Sequence, residues 1–323
     1  MQIRRLVKSG AASHTISLPK SWLDKNNLKK GDIIYLVEKS DKELVVTPET
    51  KPEVKQEKEI SINIEKKDLT TIQREITSAY INNYNTIVIH GDGLADQVKD
   101  IRKILHDFVA LEISELTSTR IVAKDLLNLQ EISVDKTVRR MDMIIRSIVQ
   151  DSIESIDGKN MYESVYYRDF DVNKLYFLMC RILKSSLNDS RVAEKFQITN
   201  TQGMASWFLS LNLENIADNS KNICLHLKNL GKDVNTKELK EIYKEVEKTY
   251  LDAMKAHYNS DRKLADTVAA AREQLFNKCD GFFEKHNSVD VFKVISNIKE
   301  MENQICNIAR IVIDREEVKK DEK

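Results

Sequence analysis

Apolar positions change their spacing twice along the chain, and each change marks a different kind of structure. In the first fifty residues the apolar runs are short. Ile3 to Lys8 and His14 to Leu18 read as strands around a small-residue turn, Ser9-Gly10-Ala11-Ala12-Ser13. Pro19 stands where a helix starts, and Lys20 to Asn26 has room for two turns. Gly31-Asp32 turns the chain into the apolar run Ile33 to Val37. Lys39-Ser40-Asp41-Lys42 makes a hairpin loop into Leu44-Val45-Val46, and Pro48 ends that strand. The predicted order over 1–50 is β-β-α-β-β. Strands this short bury little, so the segment needs a second copy to close a core.

Residues 51–59 are almost wholly polar and read as a linker. Over 60–130 the spacing alternates between strand and helix. Ile60, Ile62 and Ile64 form a strand, and Leu69 to Tyr84 has helical spacing. Thr86 to Ile89 is a second strand, Ala95 to Phe108 a second helix, and Glu112 to Thr117 with Arg120 to Lys124 a third strand or a hairpin. Gly91-Asp92-Gly93 lacks the third glycine and the Lys-Ser/Thr of phosphate loops, so it is a plain strand-to-helix turn.

Beyond Ile132 the period is helical to Ile313. Glycines punctuate six helices over 134–156, 161–187, 204–230, 236–258, 264–276 (ending by Gly281) and 289–313. Short loops between long helices predict an antiparallel bundle over 131–317, followed by a charged tail, 318–323. The six divide into two sets of three. A short repeat agrees: Leu213-Glu214-Asn215 with Asn219 in the third helix, Met301-Glu302-Asn303 with Asn307 in the sixth.

Proline strengthens this division. Pro19, Pro48 and Pro52 are the only three, and a helix interior tolerates proline at a cost of about 3 kcal/mol. The fold class is therefore multidomain: a small N-terminal β domain, a small α/β unit, then an all-α bundle. Charge adds what composition alone conceals. The chain is 32% charged with a formal net charge of zero. Yet Arg4, Arg5, Lys8, Lys20, Lys25, Lys29 and Lys30 face only Asp24 in the first thirty residues, leaving an acidic remainder. A basic head points to nucleic acid or a membrane surface. No apolar run approaches the roughly 18 residues of a spanning helix, and no signal-peptide stretch opens the chain. Cys180, Cys224, Cys279 and Cys306 lie far apart, as small buried hydrophobes of a reducing, cytoplasmic setting do.

Candidate chemistry lies in two places. Arg4, Arg5, Lys8, Ser13, His14 and Lys20 cluster before and at the first helix, where cations neutralise phosphates and small hydroxyls approach the backbone of duplex DNA. In the bundle, Glu214 and Asp218 share one helix face, as do Asp169 and Asn173 on the second helix. Packed together they offer oxygen ligands to a metal, or carboxylates to basic neighbours such as Arg168 or Arg181. Catalysis has no support: no histidine follows a glutamate by three residues, and no nucleophile elbow or zinc-protease motif occurs.

Arg5-Leu6-Val7-Lys8-Ser9-Gly10, Ser13-His14-Thr15-Ile16-Ser17-Leu18-Pro19-Lys20-Ser21-Trp22 and Leu28-Lys29-Lys30-Gly31-Asp32 resemble the swapped-hairpin AbrB/SpoVT/MazE DNA-binding domain. The Leu-Pro pair before the short helix and the Leu-x-x-Gly-Asp turn after it carry the likeness. In that family two chains interleave into one barrel-like dimer, which implies a homodimer. The helical part resembles PhoU, the phosphate-uptake regulator, with two three-helix repeats and an acid-x-x-x-Asp motif. Glu214-Asn215-Ile216-Ala217-Asp218 fits that motif, and Asp169 with Asn173 fits with an amide in the last place. In repeat two Cys306 replaces the aspartate after Glu302, and Ala265 follows Asp261. The resemblance thus implies iron or zinc in repeat one alone, held by Asp169, Asn173, Glu214 and Asp218. Both domains in one chain look like archaeal PhoU-type phosphate-uptake regulators.

The leading expectation is a non-enzymatic DNA-binding transcriptional regulator of phosphate uptake, its helical domain acting as sensor or adaptor. The alternative is an adaptor for a phosphate transporter or its signalling partner, with the N-terminal domain used only to dimerise. An antitoxin-like module is a third, disfavoured because toxin-binding tails are short and disordered while this one is a long bundle.

Overall fold

The computed structural model describes residues 3–10, 13–40, 43–48, 57–128 and 132–315. The predicted turn residues Ala11-Ala12 and Asp41-Lys42, most of the 51–59 linker and the 318–323 tail lie outside these. The chain divides into two units, Met1–Gln56 and Glu57–Lys323.

In the first unit β1 (Val7–Lys8) pairs antiparallel with β2 (His14–Thr15), Val7 opposite Thr15 and Lys8 opposite His14. Helix α1 (Lys20–Lys25) follows Pro19, which takes the N-cap position. Gly31 adopts a φ of +98°, and the Asp32 carboxylate accepts the Lys29 amide at 2.6 Å, closing the turn after the helix. That geometry explains the Gly-Asp pair: one residue supplies the left-handed backbone, the other the acceptor. Strands β3 (Tyr35–Ser40) and β4 (Glu43–Thr47) form an antiparallel hairpin with Leu36 opposite Val46. The β-β-α-β-β order matches the sequence expectation. Outside 37–43 none of the described residues of this unit is buried, and Ile3, Leu6, Val7, Ile33, Leu36 and Leu44 are each more than half exposed.

The second unit begins with β5 (Glu59–Asn63), α2 (Leu69–Ile81), β6 (Thr86–His90), α3 (Leu94–His106), β7 (Leu111–Leu116) and β8 (Arg120–Asp125). The sheet order is β5-β6-β8-β7, with β5 and β6 parallel and the other pairs antiparallel, so the last two strands are a hairpin. Alternation aims Ile62, Ile87, Ile89, Ile121 and Ala123 into one core with Ile72, Ile76, Ile101 and Leu105 of the helices. Gly91 belongs to a strand-to-helix turn, as expected. Its φ is +135°, and a Cβ there would lie 2.7 Å from Asn63 Oδ1.

The rest is helical: α4 (Val134–Ser155), α5 (Tyr162–Asn188), α6 (Ser190–Phe196), α7 (Asn200–Leu227), α8 (Thr236–Asn259), α9 (Arg262–Lys285) and α10 (Val289–Ile313). Helices α4, α5 and α7 form one set of three, α8, α9 and α10 the other, and α7 packs along α10 in a continuous core. Two details differ from the pattern in the sequence. Gly203, expected just before a helix start, and Gly281, expected near a helix end, sit inside α7 and α9, each with a helical backbone and no positive φ. The seventh helix, short α6, fills the polar stretch before Gly203. A capping box of Thr199 and Gln202 opens α7.

The α/β part and the bundle belong to the same compact unit, joined at α5. Phe177 packs against Phe108 in a tilted arrangement, ring centroids 5.5 Å apart. The buried Arg181 guanidinium lies over Tyr80 at 4.7 Å, pairs with buried Asp125 and donates to Asn83 Oδ1 at 2.9 Å.

Candidate nucleic-acid interface and carboxylate seam

Arg4, Arg5, Lys8, Ser13, His14 and Lys20 are all exposed in the first unit. The antiparallel register sets Lys8 directly across from His14. Ser13 is committed locally, its Oγ donating to Ser9 O at 2.6 Å while the Ser9 amide returns a bond to Ser13 O. It shapes the turn that presents its neighbours. Lys20 begins α1.

In the second unit α5 and α7 run antiparallel, with Gly203 beside Ser186 at one end and Lys221 beside Asp169 at the other. Helical spacing puts Asp169, Asn173, Tyr176 and Cys180 along α5, and Trp207, Glu214, Asp218 and Lys221 along α7. Asp169 and Asp218 share the Lys221 ammonium, Glu214 lies close enough to feel both charges, and Asn173 follows Asp169 by one turn of α5. Asp169 is 3% exposed. Lys221 Nζ donates to Asp169 Oδ2 at 2.8 Å and to Asp218 Oδ1 at 2.5 Å, bridging the two helices. Asn222 Nδ2 donates to the second Asp218 oxygen at 3.1 Å. Asp169 Oδ1 and Asn173 Oδ1 are buried and accept no hydrogen bond from the described residues.

Electrostatics follow from this crowding. Burial, then the charges of Asp218 and Asp169, push the Glu214 carboxyl up to about 7 against the pull of Lys221. Burial also lifts Asp169 above the usual carboxylate range despite its ammonium partner. For Lys221, burial alone would lower the pKa, but the hydrogen bonds to Asp169 and Asp218 outweigh it and hold it above the ordinary lysine value. Burial raises Tyr176 and Cys180 as well.

Lys221 is the residue that sequence reasoning missed. The signal was present in Asp218-x-x-Lys221, three apart on one face. Arg168 and Arg181, the basic partners weighed from sequence, lie elsewhere: Arg168 pairs with Asp151 of α4, and Arg181 with Asp125. In repeat two Asp261 is the N-cap of α9, accepting the Leu264 amide at 3.0 Å. Glu302 is fully buried, with Thr249 Oγ1 2.8 Å from its Oε2 and Cys306 Sγ 3.9 Å from its Oε1.

Residues 8–54 match the family model "Antidote-toxin recognition MazE, bacterial antitoxin", and residues 138–226 match the PhoU domain model. The chain joins a MazE-like segment to a PhoU domain. The crystal structure of PhoU from Pseudomonas aeruginosa is similar at 15% identity and a TM-score of 0.47, over 56% of this chain and 93% of that one. No curated protein matches the chain. The PhoU domain match spans most of α4, all of α5 and nearly all of α7, so it contains the whole carboxylate seam. Both matched families are regulatory, not enzymatic.

The metal that the PhoU resemblance implies can be tested against these residues. Among the described residues no three His, Cys, Asp or Glu side chains gather in a metal-binding group. One oxygen each of Asp169 and Asp218 is already taken by the Lys221 ammonium. A divalent cation on the same oxygens would face that ammonium at close range. The donor set as arranged does not fit a metal cluster.

Proposed function

We propose that this protein is a non-enzymatic, DNA-binding transcriptional regulator of phosphate uptake. In this reading the N-terminal unit dimerises on duplex DNA in the cytoplasm, and the PhoU domain acts as sensor or adaptor. The observation that carries the reading is the MazE-like match over 8–54 on a segment whose strands expose basic and apolar side chains together. Each exposed Ile, Leu or Val would contribute about 1.5–3 kcal/mol if a second copy covered it fully, a strong drive to pair. Pairing doubles Arg4, Arg5, Lys8 and Lys20 into one array of cations. Ser13 and His14 lie between them at the turn and on β2. No helix of the described residues is long and apolar enough to cross a membrane, so any contact with a phosphate transporter would be made from outside the bilayer core.

Fluorescence anisotropy of the full chain on duplex DNA from its own upstream region tests this reading. The logarithm of the affinity should fall with the logarithm of salt by about 0.9 per phosphate neutralised. Arg5→Ala should cost about 1–3 kcal/mol if the side chain reaches a base edge, and less if it meets phosphate alone. Affinity that hardly changes with salt, or that survives joint loss of Arg4 and Arg5, would defeat the DNA-binding reading in favour of the adaptor.

A further inference from the structure

Helix α2 buries Ile72, Ile76, Ala79 and Tyr80 in the α/β core. Its other side carries Arg74 and Ser78, four residues apart, and then Ile81. Helix α5 adds Phe177 and Lys184, seven residues apart on one face. These two stretches line an open groove of about 490 Å³, within the size range of small-molecule sites.

The lining is chemically one-sided. Arg74 and Lys184, one from each helix, supply two cations, and no acidic residue lines the groove. The acids near the start of α2 are engaged elsewhere. Glu75 pairs with Lys67, and Asp68 caps the helix through the Thr71 amide, Arg74 being the least of the influences on it. Asn82 Nδ2 donates to Ser78 O at 2.8 Å and to Ser78 Oγ at 3.3 Å, so the Ser78 hydroxyl keeps its own proton to give. Two cations and a spare hydroxyl select an anion, and a guanidinium fork beside an ammonium suits phosphate. Phe177 and Ile81 add apolar surface next to these donors, which suits a planar ring.

We propose that this groove binds a small phosphorylated ligand of the nucleoside monophosphate class. Arg74, Lys184 and Ser78 hold its phosphate, and its ring lies against Phe177 and Ile81. Because α2 belongs to the α/β part and α5 to the bundle, an occupied groove joins the two through a ligand as well as through Arg181. The site is separate from the N-terminal cations and does not depend on DNA binding.

Isothermal titration calorimetry of the full chain with AMP, GMP and UMP, and separately with sodium phosphate and adenosine, tests it. At least one mononucleotide should bind about tenfold or more tightly than either sodium phosphate or adenosine, because phosphate and ring each add to its affinity. Arg74→Gln and Lys184→Gln should each weaken that binding about tenfold, and added salt should weaken it in the wild type. Arg74 is exposed and Lys184 half-buried, so both variants should unfold at the wild-type temperature without ligand, which separates lost binding from lost fold. Arg4→Ala with Arg5→Ala should leave the affinity unchanged, which separates this groove from the DNA-binding reading. The proposal is overturned if no mononucleotide binds, or if sodium phosphate binds as tightly as all three. It is equally overturned if the affinity survives the joint Arg74→Gln and Lys184→Gln change, or is lost with Arg4 and Arg5 instead.

Discussion

Glu302 offers a sharp test of how burial sets charge in this bundle. Its carboxyl is 0% exposed between α8 and α10. Thr249 Oγ1 lies 2.8 Å from Glu302 Oε2 and 2.9 Å from Val246 O. A hydroxyl has one proton, and a carbonyl oxygen only accepts. Thr249 therefore shares its proton between Val246 O and Glu302 Oε2, and its bond to the carboxyl by itself favours the charged form. Burial outweighs that bond and the charge of Arg272, raising the pKa from 4.5 to about 7. At about 1.4 kcal/mol per pH unit, that difference is worth about 3 kcal/mol. The native state holds this proton more tightly than the unfolded chain, so the contribution is full below pH 4.5. It is lost as pH rises toward and through about 7.

Glu302→Gln imitates the neutral acid, its amide oxygen able to accept from Thr249. Urea unfolding of both proteins at a series of pH values isolates the effect, because other titrating groups cancel in the difference. The variant should be near wild type at pH 5 and more stable by about 3 kcal/mol at pH 8. A difference that stays constant with pH would refute the argument that Glu302 carries a proton in the fold.

Two further outcomes follow from the packing. Arg181→Ala strands buried Asp125 without its partner and should cost about 3–5 kcal/mol in urea unfolding, with hydrogen exchange in β6 and β8 rising first; a loss under about 1 kcal/mol would mean the pair is not a buried anchor. The exposed apolar strands of the first unit should make the full chain a dimer in sedimentation, and Leu36→Glu with Val45→Glu should weaken association; a monomer at micromolar concentration would contradict this.

Much of the fold was legible because its signals are local. The Pro19 boundary, the Gly31-Asp32 turn and the strand alternation of Ile60, Ile62 and Ile64 each act within a few residues. Gly203 and Gly281 misled as helix boundaries because a glycine interrupts a helix only where the backbone leaves helical geometry, and both remain helical here. The convergence of Asp169 with Asp218 was legible from i, i+4 spacing on two helices. The partner in their midst was not, since which cation reaches a seam depends on helix register: Arg168 lies one residue from Asp169 yet points to α4, while Lys221 comes from a helix distant in sequence. The anchoring of the α/β part by Arg181 was hidden for the same reason.

Helix α5 carries Asp169 at the seam and, twelve residues later, Arg181 at the α/β core, about 18 Å along its axis. A helix is stiff along that axis, and both of its ends here are gripped by buried ionic contacts. One helix therefore carries both ionic contacts. Phe177 and Arg181 tie the same helix to the α/β core, so the bundle and the β5-β6-β8-β7 sheet share one structural member and a substitution that loosens α5 would weaken both.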